Sequence, residues 1–154
     1  MDIIRKYHKN EREAVVNLIL EYSRWLNVNL CFQDFENEIR EFPGKYSEPD
    51  GAVLIAIHDN SEVVGCVCLK QIDSEICEMK RLFTKEGFRN LGIGARLIEE
   101  IIREAKLIGY KKMRLDTLSS LTKAISLYKR FGFEEISAYY QNPLENVKYF
   151  EMIL

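Results

Sequence analysis

The sequence predicts a mixed α/β fold: a mostly antiparallel central sheet, flanked by helices, with a single parallel βαβ unit set into it. Three observations carry this expectation. Short apolar runs recur over residues 51–58, 62–71 and 75–84, separated by turn residues at Asp59-Asn60-Ser61 and Asp73-Ser74, which marks an antiparallel meander. The period then changes, and residues 93, 97, 98, 101, 102, 105 and 108 form an apolar stripe at helical spacing. A further strand, K-K-M-R-L-D-T over 111–117, follows that helix and completes a crossover unit inside the sheet.

Taken in order, D-I-I-R-K-Y over 2–7 reads as a short strand. Residues 10–26 read as a helix with Asn10 as N-cap and Val15, Leu18, Ile19, Tyr22 and Leu26 on its apolar side. A weaker helix over 33–42 stops at Pro43-Gly44. The meander follows, and then a helix over 92–108 that Gly109 closes. Residues 120–131 form another helix, with Ala124, Leu127, Tyr128 and Phe131 on one side and Gly132 at its end. F-E-E-I-S-A-Y-Y and N-V-K-Y-F-E-M-I-L read as a closing pair of strands joined through Asn142-Pro143. Without repeats, low-complexity tracts or a Pro/Gly/Ser linker, residues 1–154 read as a single domain.

A chain of 154 residues is long enough for one sizeable core. Its 22 basic and 24 acidic residues give a formal charge of −2, which offers no global attraction for nucleic acid or an anionic membrane. Any bound anion must therefore be held locally. The start, M-D-I-I-R-K-Y-H, does not read as a signal peptide, and no apolar run approaches the ~18 residues of a membrane span. Cys31, Cys66, Cys68 and Cys77 show no C-x-x-C spacing, and Cys66 and Cys68 fall on one strand face as small core residues. No metal site is expected, and the cytoplasm is the expected compartment.

The stretch Arg89 to Gly94, R-N-L-G-I-G, lies between a strand and a helix. A helix N-terminus presents unpaired backbone N–H groups and about half a positive charge. Glycines let that backbone approach an anion closely. The N–H groups from Leu91 to Ala95 make a candidate nest for a pyrophosphate, with Arg89 as a charged fork. A P-loop is excluded because G-x-x-x-x-G-K-[ST] is absent. A dinucleotide site is disfavoured: its third small position is Leu97, and the preceding strand carries Glu78, Lys80 and Arg81, although Asp116 mimics the ribose-binding acid. On these six residues alone, a glycine-capped helix that binds nothing remains an alternative.

R-N-L-G-I-G resembles the [RQ]-x-x-G-x-[GA] signature of the GNAT superfamily, the acetyl-CoA-dependent N-acetyltransferases. The longer block E-M-K-R-L-F-T-K-E-G-F-R-N-L-G-I-G, the later A-I-S-L-Y-K-R-F-G-F and the closing hairpin resemble the same family, as does the element order. The resemblance implies acetyl-CoA as co-substrate. Its pyrophosphate would lie on Arg89, Asn90, Leu91, Gly92, Ile93, Gly94 and Ala95, and its pantetheine arm would pair with the backbone of Leu82, Phe83 and Thr84. The resemblance also implies that the fourth and fifth strands splay apart, with the thioester in the notch.

Two residues are candidates for catalysis on the same footing. Tyr128 matches the family tyrosine that protonates the leaving thiolate; otherwise it packs on its helix face. Glu78, eleven residues before Arg89, has the spacing of a general base; otherwise it is an exposed strand glutamate or a partner of Lys80. Neither His8 nor His58 lies near a motif. Leu121 stands where many members carry asparagine, so that contact is either absent or supplied elsewhere, with Ser119 and Ser120 as candidates. The acceptor is expected to be a small-molecule amine, with an amino-acid-like amine among the candidates, and a protein amine or a non-catalytic acyl-CoA-binding module as alternatives. Trp25 and Phe32 read as core. Phe35, Tyr139 and Tyr140 lie in the acceptor regions, and strand alternation sends only one of the two tyrosines to the notch. Lys80 and Arg81 are candidates for holding an anionic group of the substrate, Arg81 equally for a sheet-face ion pair. No nucleic-acid or membrane partner is expected, and a homodimer is a possible assembly.

Overall fold

The computed structural model describes residues 2–28, 30, 34–59 and 61–154. Strands β1 (Asp2–Lys6), β2 (Ala52–His58), β3 (Glu62–Gln71), β4 (Ile76–Thr84), β5 (Lys112–Leu118), β6 (Glu134–Ile136) and β7 (Val147–Ile153) form one sheet, in the order β1-β2-β3-β4-β5-β7-β6. Every neighbouring pair is antiparallel except β4 and β5, which are parallel and joined by helix α3 (Ile93–Ile108). This is the expected mixed fold.

Each face of the sheet carries its own apolar core. On one, α3 and α4 (Thr122–Arg130) pack Ile93, Leu97, Ile98, Ile101, Ile125 and Tyr128 against residues such as Val67, Cys77, Met79, Met113 and Phe150. The stripe expected of α3 is its buried face. On the other, α1 (Arg12–Leu26) packs Val15, Val16, Leu18 and Ile19 on Ile55, Cys66, Cys68 and Phe83. Cys66 and Cys68 are core residues as expected, and burial pushes the Cys66 thiol up to about 12, so it is unreactive near neutral pH. Cys31 lies outside the described residues.

Three elements differ from their expected form. Asn10 is not the N-cap of α1. A 3-10 turn, Lys9–Glu11, precedes the helix, and the Glu11 carboxylate accepts the His8 N–H at 2.7 Å while Arg5 grips it at 2.6 Å. The 3-10 turn puts Glu11, not Asn10, at the N-cap position of α1, and no side chain there caps the helix. Helix α2 is shorter than expected, Phe35–Glu41, and residue 33 of the expected span lies outside the described residues. The closing hairpin keeps β7 but reduces its partner to Glu134–Ile136, because the chain leaves the sheet before Tyr139.

Candidate active site

Strands β4 and β5 pair only at their first three residues, Ile76↔Lys112, Cys77↔Met113 and Glu78↔Arg114. Beyond that, β4 stays on β3 up to Thr84 and β5 stays on β7 up to Leu118. The two strands are held by their outer neighbours and diverge, which leaves the inner edge of β4 without a strand partner among the described residues over the Leu82-Phe83-Thr84 stretch. Near the divergence β4 bulges. Cys66 pairs with Phe83 and Cys68 with Lys80, so Val67 of β3 faces two residues, and Arg81 takes a φ of +60°. The extra residue shifts the side-chain alternation. Leu82 then joins the α3 core and Phe83 the α1 core.

The turn that follows brings backbone donors together. Gly92 has a φ of +80°, and the first backbone bond of α3 runs from Arg96 N–H to the Gly92 carbonyl at 3.1 Å. The amides of Ile93, Gly94 and Ala95 therefore have no acceptor inside the helix. Arg89 staples the turn: its Nε donates to the Thr84 carbonyl at 2.9 Å, and its guanidinium lies 4.7 Å from the Trp25 ring and 5.3 Å from Phe83.

A cleft of about 960 Å³ opens between these elements. Its wall includes Leu82, Phe83, Thr84, Arg89, Asn90, Gly92, Ile93, Gly94, Ala95 and Tyr128. Of the residues expected to bind cofactor, Leu91 alone is absent from the wall, and it is 55% exposed. Ser120 and Leu121 also line the cleft, so a serine does stand beside the leucine that replaces the family asparagine; Ser119 is not on the wall. The Tyr128 ring packs against Phe133 and Phe150, and burial pushes its hydroxyl well above the ordinary phenol range, keeping it protonated.

Glu78 is not on this wall. It is buried rather than exposed, accepts the Tyr139 O–H, and has Lys70 at 3.7 Å as its cation. Tyr139 and Tyr140 do not alternate faces as strand residues would. They lie outside the β-ladder, and their hydroxyls reach carboxylates on neighbouring strands, Tyr139 that of Glu78 and Tyr140 that of Asp116. Trp25 is not core: it is 46% exposed and lines the cleft, held there by Arg89. Phe32 lies outside the described residues, and Phe35 packs under the Arg81 guanidinium. Arg81 is the buried ion-pair partner, with both Nε and an Nη donating to Glu38 at 2.8 Å.

Two charged wall residues face each other across the gap: Lys80, which the sequence offers as a holder of an anionic group, and Asp116, which it offers only as a mimic of a ribose-binding acid. Lys80, buried on β4, has its Nζ 3.8 Å from Asp116, and burial pushes its ammonium down while Asp116 pulls it back up. Asp116, at the end of β5, faces away from the Met113 and Leu115 side that enters the α3 core. The signal was present in K-M-R-L-D-T, where an alternating strand puts Asp116 opposite two apolar neighbours.

Comparison with known proteins agrees with this geometry. Residues 13–133 match the Acetyltransferase (GNAT) family. The chain is 36% identical to an uncharacterized N-acetyltransferase of Dictyostelium discoideum, over 94% of each chain. It is 38% identical to an uncharacterized N-acetyltransferase of Schizosaccharomyces pombe, over 88% of this chain and 83% of the relative. An acetyltransferase of the GNAT family from Staphylococcus aureus has the same fold, with a TM-score of 0.83 at 22% identity over 99% of each chain. A GNAT acetyltransferase from Elizabethkingia anophelis, solved with acetyl-CoA bound, gives a TM-score of 0.68 at 22% identity, over 99% of this chain and 98% of that one. The chain belongs to the GNAT family and is an acyltransferase of the N-acetyltransferase type.

Proposed function

We propose that the protein moves an acetyl group from acetyl-CoA to the primary amine of a small, amino-acid-like acceptor, with both substrates bound together, in the cytoplasm. The observation that carries this reading is the cleft itself. It connects the amide-lined turn at the start of α3, through the gap between β4 and β5, to Lys80 and Asp116.

The residues present fit the cofactor. A pyrophosphate needs converging donors, and the Ile93, Gly94 and Ala95 amides supply them, with Arg89, Lys123 and Arg130 as cations on the same wall. An extended amide-bearing arm needs an open strand edge, and Leu82, Phe83 and Thr84 provide one. Acetyl-CoA, when bound, supplies a thioester carbonyl for attack and a sulfur to leave. Tyr128, which burial keeps protonated, lines the wall and is the group this reading assigns to protonate that sulfur. Glu78, the base expected from its spacing, holds Tyr139 and is off the wall. On the α1 side the cleft is bounded by Tyr22, Trp25 and Asn142, an enclosure that suits a small amine. The reading assigns no nucleic-acid or membrane partner; among the described residues no helix is long and apolar enough to cross a membrane.

Calorimetric titration of the purified protein with acetyl-CoA, beside NADH, tests the reading. Saturable binding of acetyl-CoA without a response to NADH is expected, followed by free-thiol release when primary amines are added. Failure to bind acetyl-CoA overturns it.

A further inference from the structure

We infer that Asp116 is the carboxylate that receives the acceptor's ammonium and takes its proton, and that Tyr140 is the positioning residue that holds it. This rests on the acetyltransferase reading and adds the form in which the acceptor arrives, a protonated primary amine. Among the described residues, Asp116 is the only carboxylate on the wall of the cleft; the other charged groups there, Lys80, Arg81, Arg89, Lys123 and Arg130, are cations. An ammonium entering this cleft has one anionic partner.

The carboxylate is also fixed in place. Tyr140 donates its O–H to Oδ2, and Asn142 Nδ2 donates to the Tyr140 oxygen at 2.9 Å. Lys80 Nζ stands 3.8 Å from Oδ1. Asp116 lies two residues beyond Arg114, the last residue of β5 paired with β4, so it borders the gap between the strands. The titratable groups within electrostatic reach of it are Lys80 of β4, Tyr22 of α1, Tyr128 of α4, Tyr139, Tyr140, and Tyr149 of β7, its register partner. Glu78 lies further along β4, within electrostatic reach of Lys80.

In that step Asp116 takes one proton from the ammonium. The freed lone pair forms the N–C bond while the C–S bond breaks. Tyr128 gives its proton to the departing sulfur, the second proton lost by nitrogen passes through solvent to the Tyr128 oxygen and restores it, and the proton on Asp116 is released to solvent.

The test uses the full chain, acetyl-CoA and a panel of amino acids, amino-acid amides and diamines, read by free-thiol release. Asp116→Asn is expected to lower kcat/KM about 100-fold or more and to abolish the acidic limb of the pH–rate profile. Its acetyl-CoA Kd is expected to stay within about 2-fold of wild type. Tyr140→Phe is expected to lower kcat about 10-fold or more while the KM for acetyl-CoA stays unchanged, since the Asp116 carboxylate loses the bond that holds it in place. An Asp116→Asn variant with unaltered rate and limb overturns the proposal, as does loss of the limb in Glu78→Gln alone. If Asp116→Asn does not fold, an unchanged kcat in Tyr140→Phe overturns it. Wild-type protein that fails to bind acetyl-CoA overturns the acetyltransferase reading and this proposal together; binding with an unaffected Asp116→Asn overturns this proposal alone.

Discussion

Tyr128 serves two environments. Its ring is part of the α3–α4 core, in edge and tilted contacts with Phe133 and Phe150, and the same residue lines the cleft. Among the described residues none hydrogen-bonds its hydroxyl, so the proton is not committed elsewhere. Tyr128→Phe preserves the ring packing and removes only the donor. The expected result is a kcat lowered about 100-fold with acetyl-CoA affinity unchanged, read by steady-state kinetics beside calorimetry. An unchanged kcat removes Tyr128 from the chemistry. Tyr128 was legible in the sequence because its motif sits on one helix. Asp116 was not, because its meaning depends on Lys80 of β4 and on Tyr140, which is 24 residues further along the chain. Periodicity says which face a side chain takes; it does not say which neighbours wait there.

At the scale of elements, the N-terminus of α3 separates folding from binding. A Cβ added at Gly94 meets only Leu127 Cδ2, at 3.9 Å, an ordinary contact. Alanine is also the better helix former, by about 1 kcal/mol. Gly94→Ala is therefore expected to leave the melting temperature unchanged or slightly raised. Acetyl-CoA affinity is expected to stay within about 2-fold of wild type, because the family pattern accepts Gly or Ala at this position, whereas Gly94→Asp is expected to lower it about 10-fold or more by setting a carboxylate among the donors of the turn. Parallel thermal melts and calorimetry check this, and undiminished affinity in Gly94→Asp would place the pyrophosphate elsewhere. The turn could be read from R-N-L-G-I-G because strand, glycines and helix are contiguous. The bulge at Arg81 could not: nothing in E-M-K-R-L-F-T announces that Val67 will face two residues.

Across the whole molecule, a buried ion pair joins α2 to the central sheet. Glu38 accepts two bonds from Arg81 and has Lys45 at 3.2 Å. Burial alone would push its carboxyl up, but Arg81 and Lys45 override this and hold it near about 2, against an ordinary 4.5. A depressed carboxyl stabilises the fold fully above its unfolded value and loses that contribution as the pH falls through the folded one. The amount is on the order of 3 kcal/mol. Glu38→Gln is expected to cost about 3–5 kcal/mol near neutral pH, read by urea unfolding. The difference from wild type should shrink as the pH is lowered from about 5 toward 2, and a gap independent of pH would show that the charge on Glu38 contributes nothing.

By itself the sequence determined the order of strands and helices, the glycine turn that opens α3, the apolar faces of the helices and the family motif around Tyr128. Each of these is local, set by spacing along one segment and by the fixed periods of helix and strand. Only the tertiary structure decided where β4 and β5 part, which way Phe83 and Arg81 turn at the bulge, that Trp25 lies over Arg89, and that Glu78 is held by Tyr139 while Asp116 faces the cleft. Those outcomes depend on register and on pairs of charges and rings distant in the chain. Their energies exist only once the sheet brings the partners together.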